Sequence, residues 1–173
     1  MTDPEYTEFV NSRFKRLGTP EGDLLHAVIG MVGEAGELLQ ANSRQNISEE
    51  LGDLDFYFTQ GKLIITELGP RWDYAAVARS CQSLEHAQIS LRANTIQMLD
   101  LAKKGFIYNK PLVLSQFQWN MLMVNHRIED FCELLGFDRQ SIRRENVEKL
   151  KLRFPTGYSD QAAQLRADKP EGQ

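Results

Sequence analysis

Gly30-Met31-Val32-Gly33-Glu34-Ala35-Gly36-Glu37-Leu38-Leu39-Gln40, followed shortly by Ser48-Glu49-Glu50-Leu51-Gly52-Asp53-Leu54-Asp55-Phe56-Tyr57, is the stretch whose reading decides the fold. Glu34 and Glu37 are spaced i, i+3, as are Glu50 and Asp53, so on helices each pair projects from one face, a turn apart. In the first segment Leu25, Val28, Ile29, Val32, Gly36 and Leu39 recur at the helical period. Ile47, Leu51, Leu54 and Phe58 do so in the second. Two successive amphipathic helices, joined by the short Ser43-Arg44-Gln45, are expected to pack as a hairpin with four carboxylates facing one cleft.

Outward from this hairpin, no run of alternating β-branched residues interrupts the helical pattern, and no internal repeat is present. A first helix is expected from Glu5 to Leu17, stopped by Gly18-Thr19-Pro20. The acidic helices follow, from Asp23 to about Asn42 and from Asn46 or Ser48 to Gly69-Pro70. A long helical region spans Trp72 to Lys104, Gly105 to Lys110 forms a loop, and Pro111 sits in the first turn of a helix reaching Leu135. Gly136 is a natural C-terminal cap, and a last helix runs from Ser141 to about Leu152. The expected fold is all-α, an oligomeric bundle of about five or six helices. Residues 1–160 form one domain, and 161–173 are a polar C-terminal tail.

Composition narrows the function. The 173 residues are 42% hydrophobic and 25% charged, ordinary for a globular chain. No apolar run approaches the roughly 20 residues that span a bilayer, and the acidic Met1-Thr2-Asp3-Pro4-Glu5 is unlike a signal peptide. Cys81 and Cys132 lie far apart, which suggests reduced cytoplasmic thiols rather than a zinc site or disulfide framework. A net charge of −4 argues against binding a nucleic-acid polymer, which requires a basic stripe.

Four carboxylates on two helix faces have two readings: solvated surfaces, or a cleft that takes cations. Two unit charges 4 Å apart repel by about 4 kcal/mol at an effective dielectric of 20. Converging acids must therefore be partly protonated or bridged by cations, and oxygen-only ligands favour Mg²⁺ or Mn²⁺. Gly30, Gly33 and Ala41, the helical neighbours of Glu34 and Glu37, suggest space kept clear above the backbone. Each internal glycine costs about 1 kcal/mol relative to alanine.

At these residues the chain resembles the MazG-like branch of the all-α nucleoside triphosphate pyrophosphohydrolases, whose superfamily includes dimeric dUTPases, dCTP pyrophosphatases and phosphoribosyl-ATP pyrophosphohydrolases. The shared pattern is E-x-x-E then E-x-x-D, standing here as Gly33-Glu34-Ala35-Gly36-Glu37-Leu38 and Glu49-Glu50-Leu51-Gly52-Asp53-Leu54. The resemblance is close over residues 24–60 and holds elsewhere only in outline. It implies oligomerisation with active sites near subunit interfaces, and a homodimer or homotetramer is expected. It also implies two or three Mg²⁺ ions held by Glu34, Glu37, Glu50 and Asp53, and the reaction NTP + H₂O giving NMP and pyrophosphate. Glu37 is the candidate for the proton-accepting catalytic group. Asn146, Lys149 and Arg153 form a polar-cationic face within Asn146-Val-Glu-Lys-Leu-Lys-Leu-Arg-Phe-Pro-Thr-Gly-Tyr-Ser. That segment resembles one in phage and bacterial MazG-like enzymes, some described as dATP/dGTP pyrophosphohydrolases, and would bind the phosphates; its other reading is a solvated basic face.

Lys104, after a long helix, is a further phosphate candidate, although cations at a helix C-terminus are stabilising by themselves. For the base, His26, Phe14, Asn11, Trp119 and Tyr57 are candidates for stacking or hydrogen bonding. The resemblance implies a Mg²⁺-dependent hydrolase of purine deoxynucleoside triphosphates, dGTP or dATP, acting on the nucleotide pool of a cytoplasm, the host's if the chain is phage-encoded. Competing readings are a non-catalytic nucleotide-binding regulator, a helical interaction protein, and a di-iron carboxylate protein. The last requires paired E-x-x-H motifs, and the chain offers only Asp23 before His26.

Overall fold

The computed structural model describes residues 1–69 and 83–168. Among these the chain forms seven helices and no strand: α1 (Asp3–Arg13), α2 (Pro20–Gln40), α3 (Arg44–Leu68), α4 (Leu84–Tyr108), α5 (Leu114–Leu135), α6 (Arg139–Arg153) and α7 (Asp160–Leu165). Residues 72–82 of the expected fourth helix, with Cys81, lie outside the described residues.

The helix starts follow from side chains that satisfy otherwise unpaired N–H groups. Thr2, Thr19, Ser43, Ser83, Asp138 and Ser159 each accept a hydrogen bond from an N–H in the first turn of the helix that follows. These caps set α2, α3 and α6 a few residues earlier than hydrophobic periodicity suggests. Gly136 ends α5 in the left-handed region at φ 66°, as expected. Arg44 completes that end: its guanidinium donates to the Leu135 and Gly136 carbonyls at 2.8 and 2.7 Å and lies 4.1 Å from the Phe137 ring centroid.

Three expectations are corrected here. α4 continues through the presumed loop to Tyr108, where Asn109 adopts φ 51° and caps it. Pro111 lies before α5, which starts at Leu114. The polar stretch after 160 contributes α7, whose Ala162 and Ala163 pack on the core.

α3 is the central element, touching α1, α2, α5 and α6, while α2 is held between α3 and α4. A helix with two neighbours cannot be read from one stripe. The apolar side chains of α2 that are buried are Leu24, Ala27, Val28, Met31, Ala35 and Leu38. Of the expected stripe only Val28 is among them; Leu25 and Val32 are half-buried and Ile29 is 53% exposed. On α3 the expectation holds better, with Leu51, Leu54 and Phe58 buried.

α6 is fixed to α3 by a buried ionic cluster. Asp55, fully buried, accepts from Arg139 Nε and Nη2 at 2.9 and 2.7 Å and from Arg143 Nε at 2.7 Å. Arg143 also reaches Asp3 of α1 at 2.6 Å, and Arg139 reaches Asn125 of α5 at 2.9 Å. Burial raises the Asp55 pKa, but the two guanidinium groups outweigh it and hold the carboxyl below its ordinary value.

Candidate functional site

Glu34 of α2 meets Glu50 and Asp53 of α3, with one ligand oxygen from each lying within 4.8 Å of the others. All three are half-buried, so their repulsion is only partly screened. Burial, and then the charges of Asp53, Glu37 and Glu50, push the Glu34 pKa up to about 9. A Glu34 hydroxyl therefore donates to the Glu50 carboxylate, whose own pKa is raised by burial, Asp53 and Glu37. Glu37 stands exposed at the rim, outside the triad, close enough for its charge to act on both Glu34 and Glu50.

α6 supplies the support. Asn146 Nδ2 donates to Asp53 Oδ1 at 2.6 Å, while Lys149 Nζ lies 2.5 Å from Asp53 Oδ2 and 3.4 Å from Glu49. Burial disfavours the Lys149 ammonium, but Asp53 and Glu49 more than offset this and raise its pKa. Asn146 is 4% exposed, so it is no part of a solvated basic face. Its approach explains Gly52 of the E-L-G-D run, since a Cβ there would stand 3.1 Å from Asn146 Cβ.

The glycines flanking Glu34 play different parts. Gly33 faces open space. Gly30 does not: a Cβ there would lie 2.3 to 2.4 Å from ring atoms of Tyr57, so the aromatic ring, rather than a ligand, fills that space. We expect Gly30→Ala to be destabilising by about 1–2 kcal/mol in urea unfolding, because overpacking against Tyr57 exceeds the gain of about 1 kcal/mol in helix propensity. Unchanged or increased stability would show that the ring moves aside freely.

Next to the acids lies a pocket of about 230 Å³, lined by Glu34 and Asp53 together with His26, Lys149, Arg153, Phe14 and Tyr57. Its remaining wall includes Arg13, Lys15, Phe56, Leu150, Phe154, Tyr158 and Ala163. One space thus brings together Glu34 and Asp53 of the four expected acids, the cations Lys149 and Arg153, and the rings of Phe14, His26 and Tyr57, while Glu37 and Glu50 do not line it. Arg153 is engaged by the C-terminal segment, donating to the Ala163 carbonyl at 3.3 Å and lying 3.7 Å from Asp168. Lys15 pairs with Asp160 at 2.5 Å. Burial, with Glu34 and Asp53, pushes the Tyr57 hydroxyl up to about 12.

Other candidates lie elsewhere. Lys104 is placed in a separate pocket between α4 and α5, paired with Asp100 at 2.5 Å, and does not line the acidic pocket. Trp119 lines that same second pocket. Asn11 accepts from Arg16 and Gln60. Residues not assigned to the site from the sequence are Arg13, Lys15 and Tyr158; the available signals are the Arg13-Phe14-Lys15 triplet, which places two cations around an aromatic ring, and the position of Tyr158 near the end of the segment that begins at Asn146.

Compared with protein-family models, curated proteins and solved structures, the chain gives no match. The donor set suits a hard divalent cation: carboxylate oxygens alone, crowded enough for one to retain a proton that a cation would replace. Asn146 Oδ1, buried and without a hydrogen bond, adds a further unsatisfied acceptor beside Asp53.

Proposed function

We propose that this protein is a Mg²⁺-dependent nucleoside triphosphate pyrophosphohydrolase, converting a purine deoxynucleoside triphosphate, dGTP or dATP, and water into the monophosphate and pyrophosphate. The observation that carries this reading is the convergence of Glu34, Glu50 and Asp53 within 4.8 Å at the edge of a pocket lined by cations and aromatic rings. Glu34, Glu50 and Asp53, with Glu37 at the rim, would hold two or three Mg²⁺ ions, or Mn²⁺. Bound divalent ions supply phosphate neutralisation, Lewis acidity at the α-phosphorus and a water of lowered pKa.

The chain's own groups take the remaining roles. Lys149 and Arg153 bind phosphate oxygens, and Asn146 keeps Asp53 in place. Glu37, the most exposed of the four acids, takes the proton from the attacking water. Phe14, His26 and Tyr57 receive the base. The exposed apolar residues Ile29 on α2 and Ile89 and Ile96 on α4 support association into a homodimer or homotetramer, which light scattering checks directly.

Incubation with each (d)NTP and Mg²⁺, followed by product identification, tests the reaction. Monophosphate plus pyrophosphate supports it. Diphosphate plus phosphate overturns it, and nucleotide binding without turnover identifies a regulator instead. Glu37→Gln is expected to lower kcat by about 100-fold, within the usual contribution of a general base. Full turnover in that variant would remove Glu37 from the catalytic role.

A further inference from the structure

We propose that His26 reads the base through its edge, as a hydrogen-bond acceptor for an N–H group on the six-membered ring of a purine. The inference deepens the nucleotide reading of the pocket and rests on it. Residue type alone leaves His26 open to stacking or hydrogen bonding; its surroundings decide between them. Phe14 stacks on the imidazole, with centroids 4.5 Å apart and planes at 27°. Tyr57 meets it steeply, at 6.1 Å and 66°. With Phe14 stacked on one face of the imidazole and Tyr57 steeply inclined to it, the polar edge is the part of the ring that offers a ligand a directional contact.

The edge has a defined polarity. His26 Nδ1 lies 2.9 Å from the Lys15 carbonyl oxygen, which only accepts hydrogen bonds, so Nδ1 carries the proton. In the neutral ring Nε2 then presents a lone pair. That carbonyl is held in place by its own loop. Asp23 accepts from Leu17 N at 2.5 Å and from Arg16 at 3.0 Å, and Gly18 turns the chain at φ 89°, a conformation that favours glycine. The pocket's 230 Å³ is below the roughly 300 Å³ at which whole-ligand sites begin, which suits a base and part of a sugar, with the phosphates over the carboxylates.

The test is equilibrium binding of 2′-deoxyadenosine and 2′-deoxyguanosine monophosphates against the monophosphate of unsubstituted purine deoxyriboside, whose six-membered ring bears no N–H. The wild-type chain is expected to prefer the first two by about tenfold, the usual worth of one hydrogen bond. His26→Phe, which keeps the stacking, abolishes the preference. His26→Gln, which retains an acceptor, restores part of it, and binding of Mg²⁺-pyrophosphate reports that both variants are folded. No preference in the wild type, or an undiminished one in His26→Phe, overturns the inference. Triphosphate turnover without base preference defeats this inference alone, whereas base preference without turnover defeats the hydrolase reading alone.

Discussion

Glu34→Gln is expected to lower Mg²⁺-dependent turnover by about 1,000-fold, the scale of several kcal/mol of lost metal-assisted stabilisation, and at the same time to stabilise the metal-free protein. The second effect follows from the proton that Glu34 holds. Its pKa in the folded chain is pushed up to about 9, against 4.5 in the unfolded chain. Stability linked to this carboxyl is therefore present in full below pH 4.5 and is lost as the pH rises toward 9. Glutamine removes the group that must be kept protonated, so at pH 8 the variant should melt higher, by roughly 2–4 °C for each kcal/mol of relieved repulsion. Thermal melts between pH 5 and 9, with and without Mg²⁺, check both parts. The wild type should melt lower as the pH rises and recover with Mg²⁺; the variant should show a flatter profile and little response to the ion. A variant that keeps its turnover and still responds to Mg²⁺ would rule out Glu34 as a ligand.

Asp55→Ala is expected to be destabilising by about 3–5 kcal/mol, the usual result of removing one partner from a buried ionic cluster. Arg139 and Arg143 would lose their shared carboxylate, leaving two guanidinium groups poorly solvated between α3 and α6. Urea unfolding should show a lower midpoint with an unchanged m value. A loss below about 1 kcal/mol would mean that water enters and replaces the carboxylate. The cluster is no proof of high stability, since apolar replacement of all its members can be neutral or better. Its effect lies in the difference between intact and broken.

The parts legible in the sequence were those set by local spacing. Glu34/Glu37 and Glu50/Asp53 announced two helical faces, and Asn146 with Lys149 announced a third; the structure brings Asn146 and Lys149 onto Asp53. Gly136 marked a helix end because its residue type and left-handed conformation belong together. What stayed hidden depended on neighbours. Periodicity on α2 does not choose between sides when α3 and α4 cover different ones, so it points Ile29 inward, whereas the residue lies outward. Asp55 sits two residues from Asp53 in an acidic run, and nothing in its spelling separates a buried anchor from a solvated acid. Charge and position alone suggest Lys104 for a phosphate, whereas its ammonium pairs with Asp100 one turn away on its own helix.

α6 carries its anchor and its share of the site on a single rod. Arg139, Arg143, Asn146 and Lys149 follow one another at intervals of three or four residues, and all four end on carboxylates of α3. A slip of one helical turn, about 5.4 Å, would misalign every one of them together. The helix is therefore indexed like a key: the teeth that fix its depth also determine whether Asp53 is correctly dressed.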